Sequence, residues 1–205
     1  YVLPLSSKDE DLLRSMFALC STIAVWGSDE ATKGVRKLAP AGVGLVEWGN
    51  RISFAYFTKK GVSRERLKGL AEDVCVNDQQ ACSAPQLVFY ETDDREELLG
   101  FAQEVMSVLQ EVSDTYPLHP MSQAEQAELT TQTQMCYLDE MMGEAKLLEG
   151  RGCRIFVQYD HELCASPLYR TLIVKAIKRE ELIPALRPFR SYLQSVGLGC
   201  GREEI

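Results

Sequence analysis

The sequence lacks any hydrophobic run that approaches the ~20 residues needed to cross a bilayer. Its first residues also lack the basic and apolar regions of a signal peptide. The net charge is -8, and the basic residues are scattered rather than clustered. Nucleic-acid binding needs a concentrated patch of lysine and arginine, so we expect neither a membrane span nor a nucleic-acid partner.

Closely spaced cysteine pairs are absent as well, although the chain contains seven cysteines. An odd set without a Cys-x-x-Cys spacing fits neither a disulfide framework nor a structural zinc site. We therefore expect a reducing, cytoplasmic location. The run Asp160-His161-Glu162 has the composition of a ligand set. Because adjacent residues on a turn rarely converge on one ion, we expect no metal.

The residues that are present predict a folded α/β protein. Hydrophobic residues make up 45% of the 205 residues, which is enough to bury a sizeable core. Short apolar runs predict strands over residues 22–26, 43–46, 52–57, 87–91, 153–159 and 171–177, the first of them fully buried. Helical periodicity and capping residues predict helices over residues 8–19, 29–38, 64–75, 95–113, 121–148, 179–186 and 189–194. The predicted caps are Ser7 for the first helix, Ser63 for the third and Thr92-Asp93-Asp94 for the fourth. This alternation predicts a mostly parallel sheet flanked by helices.

The turn over residues 76–86 contains Cys82, the strongest candidate for chemistry. We predict that this turn delivers Cys82 to the start of a short helix. Unpaired backbone N–H groups at a helix start favour an anion, and a thiolate there would be a nucleophile. The alternative is a buried cysteine that behaves as a small hydrophobe. His119 lies between two prolines in a rigid connector, and we interpret it as a connector residue rather than a base.

Two glycine turns lie upstream of Cys82. Gly27 and Ser28 end a predicted strand and open a predicted helix, an arrangement in which backbone N–H groups meet a phosphate or a nucleotide. A plain strand-to-helix connection is the alternative.

The second turn begins at Glu47, where we expect the strand over residues 43–46 to be broken. A carboxylate at the end of a parallel strand points toward the crevice in which open α/β sheets bind ligands. The alternative is a surface acid paired with Arg51 or Lys59.

Three motifs follow one another in the chain: Trp26-Gly27-Ser28, Glu47-Trp48-Gly49-Asn50-Arg51 and Asn77-Asp78-Gln79-Gln80-Ala81-Cys82. Their order and spacing together resemble the aldehyde dehydrogenase superfamily, with its Phe-Thr-Gly-Ser, Glu-Leu-Gly-Gly-Lys and Asn-x-Gly-Gln-x-Cys motifs. Within that superfamily, four runs resemble the acyl-CoA reductases of the bacterial-luminescence (LuxC) type: residues 26–31, the turn over residues 47–49 that runs into residues 53–55, residues 77–86 and residues 192–198. Those enzymes reduce fatty acyl thioesters to aldehydes with NADPH.

The resemblance implies that the chain is a fragment of a longer enzyme. Residues 1–58 would be the closing part of a Rossmann-like nucleotide-binding domain, and residues 59–205 an aldehyde dehydrogenase-like catalytic domain. Cys82 would be the nucleophile, and Glu47 the acid that activates water in hydrolytic members. The residues implied beside the cofactor are Gly27, Ser28, Ala31 and Gly49.

Some positions depart from the superfamily pattern. Gln79 stands where aldehyde dehydrogenases usually have glycine, and Asn50 replaces the second glycine of the upstream turn. The late Glu-x-Phe-Gly-Pro motif has no convincing match, and Glu162 is the closest acid to its expected place.

The function implied by the resemblance is NADPH-dependent reduction of an acyl-CoA or acyl-protein thioester to the aldehyde, through an acyl group bound to Cys82. A homo-oligomer or an acyl-transfer partner is expected for the full-length protein. One alternative is an NAD(P)-dependent aldehyde dehydrogenase that forms the acid, with Glu47 activating water. Another is a non-catalytic α/β domain that serves in assembly, with Cys82 buried.

Overall fold

The computed structural model describes residues 2–204, and the chain forms two compact units, Tyr1–Arg51 and Ile52–Ile205. The first unit contains helix α1 (Glu10–Phe17), strand β1 (Thr22–Trp26), helix α2 (Asp29–Leu38) and strand β2 (Gly44–Trp48). The two strands pair in parallel, with Trp26 opposite Trp48. A small core of Phe17, Ile23 and Leu38 joins the helices to one face of the sheet.

Three predictions for this unit are wrong in detail. β1 is not fully buried, because the helices pack against one face and alternate residues therefore lie on the other. α1 begins after Asp9 rather than after a Ser7 cap. β2 continues through Glu47 and Trp48, which the sequence placed in a turn, because both residues stay in register with β1.

The second unit is built on a six-stranded sheet. Its larger elements are β3 (Ile52–Phe57), α3 (Arg64–Cys75), β4 (Pro85–Glu91), α4 (Arg95–Ser113), α5 (Gln123–Met142), β5 (Ala145–Glu149), β6 (Arg154–Gln158), β7 (Thr171–Ile177), α6 (Arg179–Leu186) and β8 (Leu193–Gly199). Short 3-10 helices cover Lys59–Gly61, Arg187–Phe189 and Arg202–Glu204. The strand order is β5-β6-β7-β4-β3-β8, with β5 antiparallel to β6 and the other pairs parallel. The predicted α/β fold with a mostly parallel sheet is confirmed.

The central strands are apolar at nearly every position because both faces of the sheet are covered. Val88 of β4 packs in the cluster formed with α3 and α4, whereas its neighbours Leu87 and Phe89 pack in the cluster on the other face. All three side chains are fully buried. This rigid centre holds the turn that leads into β4.

Two predicted helices are wrong. The helix predicted over residues 121–148 ends at Met142, because Gly143 adopts a left-handed conformation (φ 77°) that terminates it. Residues 145–149 then pair with β6 as strand β5. The helix predicted over residues 189–194 is replaced by a 3-10 turn and the start of β8, which pairs with β3.

The chain passes from the first compact unit to the second between Arg51 and Ile52. β3 belongs to the second unit because it pairs with β4 on one side and β8 on the other. Among residues 2–204, every helix is too short or too polar to cross a membrane.

Candidate active site

Cys82 lies in the turn between α3 and β4, and its side chain is exposed. The alternative of a buried Cys82 is therefore wrong. The predicted helix start is also wrong, because residues 81–84 form a turn that leads directly into β4 at Pro85. The N-terminus of a helix is therefore not what surrounds this thiol.

Side chains from β3 and β8 contact Cys82. The Gln194 Nε2 group donates a hydrogen bond to Cys82 Sγ at 2.9 Å. The Ser53 hydroxyl donates to the Cys82 carbonyl oxygen at 2.7 Å, and the Ser195 N–H donates to Ser53 Oγ at 3.2 Å. The first residues of β3 and β8 are thereby tied to the Cys82 turn.

Gln79 closes the base of this turn. Its backbone has φ 63°, a left-handed conformation that glycine adopts most easily. Its buried side chain donates from Nε2 to the Pro85 carbonyl at 2.9 Å, and Oε1 accepts from the Thr171 N–H at 2.8 Å. The side chain therefore joins both ends of the Cys82 turn to the start of β7.

A buried ion pair lies beneath the turn. Asp78 and Arg170 are both fully buried, and Arg170 Nε donates to the Asp78 carboxylate. The His119 N–H also donates to that carboxylate at 2.8 Å, and the His119 ring nitrogen Nδ1 lies 2.7 Å from it. Burial alone would raise the pKa of Asp78, but hydrogen bonds from His119 and Arg170 outweigh it, so the pKa is lowered.

Arg170 also binds three backbone carbonyl groups between α4 and α5. It donates to the carbonyl oxygens of Ser113, Tyr116 and Pro117 at 2.8–3.2 Å. Arg170 itself has φ 58°, and Leu168, Tyr169 and Asp78 also have positive φ values. Such conformations persist only where the surroundings impose them, so we interpret Arg170 as the residue that fixes the position of the Cys82 turn.

Glu47 pairs with Arg36 of the same unit, a partner that the sequence alternative did not name. Arg36 of α2 donates to its carboxylate through Nε at 3.0 Å and through a second guanidinium nitrogen. The Arg36 hydrogen bond lowers the pKa of Glu47, so the carboxylate is ionised at neutral pH. Lys59 pairs instead with Glu97.

The predicted cofactor residues Gly27, Ser28, Ala31 and Gly49 lie together in the first unit, at the carboxyl ends of β1 and β2. The Ser28 hydroxyl accepts from the Ala31 N–H at 3.2 Å and caps α2. A Cβ at Gly27 would approach Ala31 Cβ to 3.2 Å, and one at Gly49 would approach Asp29 Oδ1 to 2.8 Å. Gly27 also has φ 153°, a backbone conformation that favours glycine, whereas at Gly49 the close atom is the end of the Asp29 side chain.

Two tryptophans lie at the same strand ends. The rings of Trp26 and Trp48 stack with centroids 4.7 Å apart and an interplanar angle of 5°. Both are exposed, Trp26 by 70% of its surface.

The acidic run after β6 has structural partners. Asp160 Oδ1 accepts from Lys175 Nζ at 2.5 Å, and His161 Nδ1 lies 2.8 Å from the Ala176 carbonyl oxygen. Within the described part of the chain, no three His, Cys, Asp or Glu side chains are grouped to hold a metal ion.

Sequence reasoning missed Arg170 and assigned no role to Ser53 or Gln194. Ser53 lies in an apolar strand and Arg170 directly before one, and a polar or charged residue there is the only local signal of a buried role. Gln194 carries no such signal, because its contact depends on how β8 pairs with β3.

Comparison with known proteins gives a consistent result. A family model described as "Acyl-CoA reductase (LuxC)" matches residues 1–204. The long-chain acyl-protein thioester reductase of Aliivibrio fischeri is 26% identical over 192 residues, covering 92% of this chain and 39% of the relative. That of Vibrio harveyi is 26% identical over 106 residues, covering 52% of this chain and 22% of the relative. The chain thus spans less than half the length of these relatives.

Solved structures show the same fold at low identity. The gamma-glutamyl-gamma-aminobutyraldehyde dehydrogenase of Burkholderia cenocepacia superposes with a TM-score of 0.71 and 12% identity, covering 98% of this chain and 48% of that protein. The indole-3-acetaldehyde dehydrogenase AldA of P. syringae, in complex with NAD+ and IAA, gives a TM-score of 0.62 and 12% identity. The superposed region covers 92% of this chain and 47% of the AldA chain.

Proposed function

Because the chain belongs to the acyl-CoA reductase (LuxC) family, we propose that the full-length protein reduces a fatty acyl thioester to the aldehyde through an acyl-enzyme on Cys82. The environment of Cys82 carries this proposal. Cys82 is exposed, its sulfur accepts a hydrogen bond from the Gln194 side-chain amide, and it lies in the motif that resembles the superfamily nucleophile. Relatives named as acyl-protein thioester reductases support an acyl-CoA or acyl-protein thioester as the substrate.

In this mechanism the Cys82 sulfur attacks the thioester carbonyl carbon. A new C–S bond forms, and the bond to the leaving thiol breaks with its electron pair on the departing sulfur. One thioester replaces another, so this step costs little free energy and divides a difficult reaction in two. The Cys82 backbone N–H is a proposed donor to the oxyanion.

A reduced nicotinamide cofactor, which we propose to be NADPH, would supply the hydride that brings the bound acyl group to the aldehyde level. The C–Sγ bond would then break with its electron pair on the Cys82 sulfur, which releases the aldehyde and restores the thiolate. The residues of the first unit fit such a cofactor. Gly27 and Gly49 keep the two strand ends free of side chains, Ser28 offers a hydroxyl, and the exposed indole of Trp26 offers a flat face for a planar ring. We propose that Gly27, Ser28, Ala31 and Gly49 line this site.

Replacing Trp26 by alanine in the full-length protein should weaken NADPH binding by roughly 10- to 100-fold, the usual effect of losing one aromatic stacking partner. Binding is measured from the change in the intrinsic fluorescence of the reduced cofactor. Trp26→Phe, which keeps an aromatic face, should retain most of the affinity. If Trp26→Ala binds NADPH with the same affinity as the unaltered protein, the tryptophans do not form part of the cofactor site.

The competing dehydrogenase reaction depends on water activation, and we propose Glu47 as the base. In the full-length protein, Glu47→Gln should lower hydrolysis of the acyl-enzyme to acid by about 10²–10⁴-fold, the usual contribution of a general base. Reduction of the thioester should fall by less than about tenfold, since that route needs no activated water. Acid and aldehyde are quantified separately by chromatography after addition of acyl-CoA.

The matched control is Arg36→Gln, which removes the ion-pair partner and keeps the carboxylate. It should retain hydrolysis, because release from Arg36 leaves Glu47 able to accept a proton. If aldehyde formation falls as steeply as acid formation in Glu47→Gln, the carboxylate acts in the reductive route instead. If neither product changes, Glu47 serves only as the partner of Arg36.

A further inference from the structure

We propose that Gln194 is a further catalytic residue, whose side-chain amide N–H stabilises the Cys82 thiolate and then faces the acyl group bound to it. This inference rests on the proposed function, because it requires Cys82 to be the nucleophile. Gln194 Nε2 lies 2.9 Å from Cys82 Sγ, although the two residues are 112 positions apart in the chain.

An irregularity in the sheet accompanies this contact. Leu193 is paired with Ile52 and Val196 with Phe54, so β8 advances three residues while β3 advances two. The extra residue falls at positions 194–195 and forms a β-bulge. Bulges redirect side chains and are frequent beside active sites, and this one places the Gln194 amide at Cys82.

A second irregularity lies across β3. Ser53 is paired with Pro85 and Phe54 with Leu87, so β4 also carries one extra residue, directly after the Cys82 turn. Both irregularities therefore flank the same position, Ser53, at the amino ends of the strands.

Ser53 fixes the two partners relative to each other. Its hydroxyl donates to the Cys82 carbonyl at 2.7 Å and accepts from the Ser195 N–H at 3.2 Å. Ser53 is buried, with 1% of its surface exposed, whereas Cys82 and Ser195 are exposed, so the two hydrogen bonds are shielded from water on the Ser53 side. The backbones beside Gln194 and at Cys82 are thus held by one hydroxyl group.

A thiolate at Cys82 needs a hydrogen-bond donor such as the Gln194 amide N–H. No helix begins between Cys82 and Pro85, so the thiolate gains nothing from a helix dipole. An amide N–H that points at the sulfur favours the charged form over the thiol. After the thioester exchange, the carbonyl oxygen is attached to the carbon bonded to Sγ, within reach of the same N–H.

The test uses the full-length protein with Gln194→Leu, which removes the donor at similar size, and Gln194→Glu, which places a carboxylate against the sulfur. Cys82 alkylation by iodoacetamide is followed by peptide mass mapping. At neutral pH we expect a rate about tenfold lower in Gln194→Leu and lower still in Gln194→Glu. At roughly pH 10, above the ordinary pKa of a free thiol, the rate in Gln194→Leu should match that of the unaltered protein.

Gln103→Leu, at an exposed position of α4, is the control and should alkylate at the unaltered rate. The same variants are tested for acylation by labelled acyl-CoA, and the loss in Gln194→Leu should parallel the loss in alkylation. Unaltered alkylation and acylation in both Gln194 variants would overturn the inference. A lower rate that persists at high pH would also overturn it, because altered access to the thiol would then be the cause.

A different result would contradict the proposed function itself. If Cys82 of the unaltered protein takes up no acyl label, the nucleophile assignment itself is wrong. If Cys82 is labelled equally in the unaltered protein and in the Gln194 variants, the acyl-enzyme on Cys82 is supported and only the role of Gln194 is contradicted.

Discussion

Replacing Cys82 by alanine in the full-length protein should abolish covalent labelling by radioactive acyl-CoA and lower aldehyde formation by more than about 10³-fold. The loss is this large because removal of the nucleophile closes the covalent route altogether. The labelled protein is digested, and the label is assigned to a peptide by mass spectrometry. Overall folding should be preserved, since the Cys82 side chain is exposed and fills no core position.

Four of the other cysteines of the second unit, Cys75, Cys136, Cys153 and Cys164, are poorly suited to take its place. Burial raises the pKa of the Cys75 and Cys136 thiols to about 12 each. Burial also raises the pKa of Cys153 and Cys164. A thiol with a raised pKa contains little thiolate at neutral pH, so these residues should react slowly.

Cys164→Ala is the matched control, because it removes a half-buried cysteine from the same unit. It should keep full labelling at Cys82. Label that persists at another cysteine in the Cys82 variant would contradict the assignment. Seven cysteines that all react slowly in the unaltered protein would instead favour the assembly domain, the alternative without catalysis.

The sequence predicted the elements whose signals are local. α3, α4 and α6 begin and end at the predicted residues, and the Ser63 and Asp94 side chains cap the first two as expected. β5 and β8 were missed because their pairing is decided elsewhere in the chain. β5 depends on the left-handed Gly143, and β8 on an open position beside β3.

The residues of the candidate site also differ in whether local sequence signals predict them. The order of the motifs predicted Cys82, but it did not predict the residues that support the turn. Gln79 shows why: the sequence reveals only that glycine has been replaced. The structure shows that Gln79 itself has a left-handed backbone and that its side chain forms hydrogen bonds with Pro85 and Thr171. Contacts of this kind depend on positive φ values and strand register, which no local pattern encodes.

Arg170→Met should destabilise the second unit by about 3–5 kcal/mol, the usual cost of breaking a buried ion pair by removing one partner. The Asp78 carboxylate would lose its buried cation, and the carbonyl groups of Ser113, Tyr116 and Pro117 would lose their donor. For a unit of this size the thermal unfolding midpoint should fall by roughly 10 °C. Calorimetry or far-UV circular dichroism of the full-length protein measures this shift.

The buried Asp78–Arg170 pair also predicts how the stability of the second unit depends on pH. The folded-state pKa of Asp78 is lowered, so its stabilising contribution is complete above about pH 4, the ordinary range of a carboxyl group. That contribution is lost as the pH falls toward the lowered value. The difference in midpoint between the unaltered protein and Asp78→Asn should therefore shrink as the solution is acidified.

Arg151→Met is the matched control, since it removes an arginine from an exposed ion pair with Asp114 on the same unit. Exposed pairs contribute little, so its midpoint should stay close to that of the unaltered protein. If Arg170→Met behaves like this control, the buried pair does not hold the turn. If the midpoint falls as expected, Cys82 acylation by labelled acyl-CoA should also slow below the unfolding temperature, because a nucleophile displaced by about 1 Å loses on the order of 10²-fold in rate. That second effect ties Arg170 to the chemistry, because a purely stabilising residue would leave the acylation rate of the folded protein unchanged.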